Sequence, residues 1–287
     1  MNPVKHLLAY GYFYGTLPGR RWSDSRAVRS GRAHWAIPTF HRVADDAANA
    51  WTTPTADFLR VLSWLQHNFD LVSLDEGRRR MQQGDMPRTC VSITFDDGYA
   101  VNSEVALPRL IDENIPVTYF VTVDAVLRGT LFPHDVEMGN RFPANTIEQL
   151  RELADAGVEI GAHTRTHADL GAIRERAQLI DEIVTARKEL EDALGRAVRY
   201  FAWPFGDYRN FTAEGLAIAR EAGYEAVCSC YGGYNFAGDD GFHLQRRGVD
   251  GELVRMKNWI MRDPFRKRRV RRWTGRETLD PRLSAAS

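Results

Sequence analysis

An α/β fold, a closed (β/α) barrel of seven or eight parallel strands in a single domain, is predicted by three features of the sequence. Short apolar, β-branched runs alternate with helical patterns from about residue 33 to residue 262, which argues for a parallel sheet. No Gly-rich phosphate-binding turn follows the first run, so a closed barrel suits these βα units better than an open doubly wound sheet. Reactive side chains stand directly after several of the runs, at the strand ends where parallel barrels carry their active sites.

Taken in order, the strand candidates are residues 33–40, 71–74, 91–95, 117–121, 158–161, 198–203, 224–230 and 244–249. The helices between them carry boundary signals. Thr53-Pro54 supplies a cap and a first-turn proline ahead of Phe58, Leu62 and Leu65 at helical spacing. Thr146 with Gln149 three residues later is a capping box, and Gly157 follows the last turn of that helix. Ile173, Ala177, Ile180 and Val184, then Leu190 and Leu194, form an apolar stripe that ends at Gly195 and predicts core. Residues 1–32 stand apart as an N-terminal extension, 33–262 as the barrel and 263–287 as a basic tail.

With 44% hydrophobic and 26% charged residues the 287-residue chain has the composition of a folded globular protein, not of a disordered or collagenous one. Its 38 Lys+Arg and 38 Asp+Glu cancel, so no global field recruits nucleic acid. The balance is uneven along the chain. From Arg262 to Arg276 there are eight basic residues against one acid, Asp263. This cluster is a candidate for peripheral contact with an anionic membrane. Three cysteines, Cys90, Cys228 and Cys230, suggest no disulfide framework and fit a reducing compartment. Met1 to Trp22 lacks the long apolar stretch and cleavage site of a signal peptide, so a cytoplasmic location is expected, peripheral to the inner membrane face where the basic cluster engages it. The oligomeric state is left open.

The rim residues carry the chemistry. The first run ends in Phe40-His41-Arg42, the third in Thr94-Phe95-Asp96-Asp97-Gly98-Tyr99, and the fifth leads into His163-Thr164-Arg165-Thr166-His167. Residues 198–203 lead into Pro204-Phe205-Gly206, and the last run holds Arg246 and Arg247. Asp96-Asp97-Gly98 alone could be a solvated turn, and His163 and His167 alone a capping and a surface histidine. Together at one rim they supply two imidazoles and a carboxylate, the ligand count of a catalytic zinc site with one open position.

These motifs resemble the polysaccharide deacetylase family, the carbohydrate esterases with a NodB-homology domain. The likeness rests on Thr94-Phe95-Asp96-Asp97-Gly98, on His163-Thr164-Arg165-Thr166-His167 and on Phe201-Ala202-Trp203-Pro204-Phe205-Gly206, in the family's order, and spans about residues 33–250. It implies a distorted (β/α) barrel and metal-dependent hydrolysis of an acetyl group on a sugar. Carried over by residue, it implies that Asp97, His163 and His167 bind a divalent metal, most simply Zn²⁺, that Asp96 is the general base, and that the Phe205 backbone N–H stabilises the oxyanion. Trp203 and Tyr99 lie where an aromatic face would stack on a pyranose ring.

Two departures from the common family pattern redirect the assignment. Ala202 stands where many members carry an arginine that orients the catalytic aspartate, and Arg246 is the candidate for the missing charge. The late Leu-x-x-His that usually supplies the general acid is absent. Phe40-His41-Arg42-Val43 resembles the Tyr-His-x-Val of poly-N-acetylglucosamine deacetylases, whose barrel looks circularly permuted, so His41 is preferred to His243, which is expected to precede its strand on the opposite rim. The resulting expectation is an N-deacetylase of an acetylated amino sugar in a glycan or glycan precursor. A sugar O-acetyl esterase and a catalytically inactive carbohydrate-binding barrel are the alternatives.

Overall fold

The computed structural model describes residues 3–84, 86–249, 253–265, 270 and 273. From the N-terminus these form α1 (Pro3–Arg29), β1 (Trp35–Ala36), β2 (Pro38–Phe40), β3 (Arg42–Val43), β4 (Thr52–Thr53), α2 (Thr55–Asn68), β5 (Asp70–Leu71) and α3 (Leu74–Gln83). Next come β6 (Cys90–Val91), β7 (Ile93–Phe95), α4 (Ala106–Asp112), β8 (Val117–Val121), α5 (Val123–Arg128), α6 (Pro133–Glu137), α7 (Ile147–Asp155) and β9 (Glu159–Ala162). The chain continues through α8 (Arg176–Ile180), a π-helical turn (Asp181–Thr185), α9 (Ala186–Leu194), β10 (Tyr200–Ala202), α10 (Ala213–Glu221), β11 (Ala226–Cys228), β12 (His243–Leu244), β13 (Arg247–Gly248) and α11 (Leu253–Ile260).

Every pairing between these strands is parallel, as the alternating pattern predicts. The main sheet has eight strands in the order β12-β11-β10-β9-β8-β7-β2-β13. Its two end strands are halves of one segment, His243 to Gly248, interrupted at Gln245-Arg246, so the ladder returns on itself as a distorted barrel. Alternation carries through the break, so Leu244 and Arg246 face the interior while His243 and Arg247 face outward.

A barrel strand buried on both faces reads as a continuous apolar run, and all five residues of β8 are buried. Their side chains alternate between two cores. Phe120, Tyr200, Ala202, Ala226, Cys228 and Leu244 fill the interior, while Val117, Tyr119, Val121, Phe201 and Val227 meet the surrounding helices. Gly161 is required by this packing, because a Cβ there would come within 2.4 Å of the Phe120 ring.

Four local expectations change. Leu71 to Leu74 is not a barrel strand: β5 pairs only with β6, in a side ladder β1-β6-β5, and Ser73 ends it by accepting the Glu76 N–H and capping α3. Thr53 does not cap α2, because it is held in β4; Pro54 occupies the cap position and α2 starts at Thr55. The stripe at 173–194 is offset. Leu179, Ile183, Ala186, Leu190 and Leu194 are buried at helical spacing, while Ala177 and Ile180 are exposed, because the helix, which begins only at Arg176, turns a neighbouring face to the core. His243 does not precede its strand but opens β12, pointing outward to Phe211 and Tyr231.

Residues 1–32 were expected only as an extension, and most of them form α1, which lies against α11. Phe13 is buried there, and the buried Arg20 bonds the Asn258 carbonyl (3.1 Å), Asn258 Oδ1 (2.9 Å) and Asp263 Oδ2 (3.1 Å). Most of the basic tail lies outside the described residues. No helix among the described residues is long and apolar enough to cross a membrane.

Candidate metal centre and catalytic rim

β7 delivers two adjacent carboxylates in different directions. The Asp96 N–H extends the ladder by donating to Phe40 O (2.9 Å), which keeps its side chain toward the barrel interior. Asp97 then adopts a left-handed backbone (φ 73°), and its carboxylate leaves toward β9. Asp96 meets Arg246 in a two-pronged pair, Nη1 to Oδ1 at 2.7 Å and Nη2 to Oδ2 at 2.8 Å. Arg246 also donates to the hydroxyls of Thr39 and Thr94 and to Ser229 O. Burial alone would raise the Asp96 pKa; the guanidinium outweighs it and holds the carboxyl below its ordinary value.

β9 leads into the histidine turn. The His163 N–H donates to Val121 O (2.9 Å), and its Nδ1 lies 2.8 Å from Ala202 O. A carbonyl only accepts, so Nδ1 carries the proton and Nε2 keeps a free lone pair. Burial pushes the His163 pKa down to about 4, which holds the ring neutral. Thr164 and His167 both have left-handed backbones (φ 60° and 63°), and Thr164 Oγ1 accepts the His167 N–H. The buried Glu182, on the π-helical turn, accepts the N–H groups of Arg165 and Thr166 and the Thr166 hydroxyl, so one carboxylate ties down the loop between the histidines.

Asp97 Oδ1 stands 3.5 Å from His163 Nε2 and 3.3 Å from His167 Nε2. It is buried without a hydrogen-bond partner, and burial working to raise its pKa is overcome by the neighbouring His167, so it stays charged. An unpartnered carboxylate oxygen facing two imidazoles, all within 4.8 Å of one another, fits a divalent cation. Among the described residues this is the one cluster of three such groups that could hold a metal ion.

The remaining rim residues come from three loops. Phe205 has a left-handed backbone (φ 60°), and Gly206, also left-handed, packs where a Cβ would come within 2.4 Å of Cys230. Four of the five non-glycine residues with positive φ, namely Asp97, Thr164, His167 and Phe205, are therefore at this site, where such strain is typically found. His41, half-buried, is close enough to lower the pKa of Asp96 and of Asp97. Asn102 fixes its strand end by donating to His41 O (2.7 Å) and accepting the Val43 N–H.

Neither expected stacking residue faces the cleft. Trp203 is buried, its Nε1 donates to Asn210 O and its ring stacks on Phe211 at 4.4 Å. Tyr99 is buried and donates its hydroxyl to Asp135 (2.6 Å). The accessible rings are Trp51, 43% exposed and 5.9 Å from His41, and Phe205, 61% exposed and 5.2 Å from His167. His134 joins them, 6.1 Å from His167. Sequence reasoning missed Trp51, His134, Asn102 and Glu182; only Trp51, just ahead of the α2 start signal, and Asn102, five residues after Asp97, stood near a motif.

Fold and rim together define a (β/α) barrel protein whose C-terminal rim carries a His₂-carboxylate set beside a buried Asp–Arg pair. The chain belongs to the polysaccharide deacetylase family, whose model matches residues 83–227. YxkH of Bacillus subtilis (strain 168) is 26% identical over 191 residues, which cover 66% of this chain and 62% of YxkH, so the match spans less than two thirds of that relative. The fold is that of IcaB from Ammonifex degensii, with TM-score 0.68, 22% identity and coverage of 80% of this chain and 98% of that one. It is also that of the deacetylase PplD from Streptococcus pyogenes, with TM-score 0.65, 19% identity and coverage of 80% and 99%.

Proposed function

We propose that this protein is a metal-dependent deacetylase that removes the N-acetyl group of an amino sugar in a glycan or glycan precursor. The observation that carries the proposal is the division of labour between adjacent carboxylates, Asp97 facing two imidazoles and Asp96 held ionised by Arg246. Asp97, His163 and His167 would hold the ion, for which Zn²⁺ suits the nitrogen-rich donor set. When bound, such an ion supplies Lewis-acid polarisation of an acyl oxygen and acidifies water to a pKa of ~7.

The protein's own groups do the rest. Asp96 accepts the proton of the attacking water, and the Arg246 clamp keeps it both charged and oriented. The Phe205 N–H, on a backbone already fixed in a left-handed turn, donates to the developing oxyanion. His41 delivers a proton to the departing amine, which leaves far more readily neutral than as an anion. Trp51 and Phe205 offer ring faces to the sugar.

The test is acetate release from N-acetylglucosamine oligomers, lipid-linked sugars and nucleotide sugars, with and without a chelator. We expect release that a chelator abolishes and zinc restores, and His163→Ala and His167→Ala proteins that lose metal and activity together. Release from O-acetyl substrates only would make the protein an esterase, and no release from any metal-loaded sample would make it a binding barrel.

A further inference from the structure

The helix α1 is apolar on two sides, and only one of them is covered. Phe13 packs inward, whereas Val4 (63% exposed), Leu7 (73%), Leu8 (65%), Tyr14 (54%) and Trp22 (63%) stand outward. With Phe265, whose ring lies against Gly19, they are six of the thirteen large hydrophobic residues exposed among the described residues. Contiguous exposed apolar residues on one side of a surface helix mark an interaction site, so the outer side calls for an occupant.

Charge identifies its chemistry. α1 carries Lys5, Arg20, Arg21, Arg26 and Arg29 against one acid, Asp24. Asp263, the one acid of the basic segment, is held at α1 by Arg20 (3.1 Å) and by the Tyr12 hydroxyl (2.7 Å). Arg262 lines the same cleft as Leu7 and Leu8; the other seven bases up to Arg276 lie outside the described residues. Across the face of a second copy these like charges would repel; on an anionic surface they attract.

We propose that the outer side of α1, with the exposed Lys5, Arg21, Arg26 and Arg29 of the same helix and Arg262 beside it, docks the protein on an anionic phospholipid bilayer. Apolar insertion and a polybasic patch are two signals, the number that stable peripheral anchoring needs. The surface also borders the rim. A cleft of about 1850 Å³ beside α1 is lined by Leu8, Tyr12, Trp259, Arg255, Arg262 and Tyr231. Tyr231 adjoins Cys230, whose N–H donates to Gly206 O (2.9 Å) in the turn that carries Phe205. A membrane-borne substrate would thus approach the rim from this side, a point that rests on the function proposed above; the docking itself does not.

The experiment is co-sedimentation of the full chain with phosphatidylcholine vesicles and with vesicles containing phosphatidylglycerol. Binding is expected only with the anionic lipid and is expected to fall as salt is raised. Leu7→Ser/Leu8→Ser should weaken it about tenfold or more. Replacing Lys5, Arg21, Arg26 and Arg29 by Gln should weaken it about a hundredfold or more. Leu7 and Leu8 are exposed, so an unchanged circular dichroism spectrum and Tm will verify folding. Acetate release from a soluble substrate, measured in parallel, separates failure of docking from failure of the deacetylase function. Binding indifferent to anionic lipid or to the leucine pair overturns the proposal, as does a concentration-dependent dimer that the leucine substitutions abolish.

Discussion

Arg246→Met removes the only guanidinium paired with Asp96 among the described residues, and at 0% and 3% exposure neither charge can turn to water. Two charge-assisted bonds of 2.7 and 2.8 Å go with it, as do the bonds to Thr39, Thr94 and Ser229 O. Removing one partner of a buried ion pair costs ~3–5 kcal/mol, because the other charge is left uncompensated. Set against a typical total of ~5–15 kcal/mol, the variant should fold but melt roughly 6–20 °C lower. Asp96→Asn leaves the guanidinium buried without its counter-charge and should also destabilise. The double variant strands neither charge, so it should lose about 2 kcal/mol or more less than the sum of the singles. Denaturant unfolding of the four proteins, followed by circular dichroism in chelator, measures this coupling. Additivity to within about 0.5 kcal/mol would refute the pair as the element that stabilises Asp96.

Asp96→Asn should keep its metal, as read by metal analysis, and lose turnover by ~10²–10⁴-fold, the usual contribution of a general base; half the parent rate would make Asp96 structural. His41→Ala should lose a comparable factor on unactivated acetamides but spare activated esters, whose leaving groups need no proton; near-parent rates on acetamides would remove His41 as the acid. Burial holds the His34 pKa below its ordinary 6.5 in the folded chain, where its Nε2–H donates to Ile260 O (2.8 Å), while in the unfolded chain the imidazole returns toward 6.5. Below about 6.5 the unfolded state therefore binds the extra proton, so the stabilisation is complete above that pH and is lost as the pH falls, by up to about 1.4 kcal/mol per unit. His163 adds to this slope in metal-free protein, so the measurement is the difference between parent and His34→Gln unfolding curves in chelator; identical slopes would contradict it.

Much of the barrel was legible because parallel strands buried on both faces leave unbroken apolar runs, and reactive residues gather where those runs stop. Val117 to Val121 followed that logic, and so did Asp96, Asp97, His163 and His167. The misplaced boundaries have one kind of cause, a local bond or register change outweighing the pattern. Ser73 capping α3 shortened a strand, and a helix starting at Arg176 presented Leu179 and Ile183 to the core in place of Ala177 and Ile180. Aromatic exposure was not legible at all. Trp203 and Trp51 are equally apolar letters, and only the fold decides that one stacks on Phe211 while the other stands open beside His41.

The pairing of Arg246 with Asp96 shows why a departure from a family pattern can still be read. Ala202 lies in β10 and Arg246 at the break between β12 and β13, separated along the sheet only by β11. In a barrel whose strands all point side chains inward at alternate positions, a guanidinium can reach one interior point from more than one strand. Losing it at residue 202 therefore demands a replacement from the interior face of another strand. The replacement also has to be long enough to cross and to lack an exit to solvent. Arg247 points the other way and is half-buried over Trp259, whereas Arg246 is fully buried over Phe120. The same geometry makes a rim histidine after the first strand able to stand in for one after the last, because β2 and β13 pair directly, with Arg247 beside Pro38 and Gly248 beside Thr39. His41 follows β2 by one residue, on that rim; His243 opens β12 and faces the outer layer. The proposed function therefore draws the proton for the leaving amine from His41, after the first strand, and the His41→Ala comparison of acetamides with activated esters decides it.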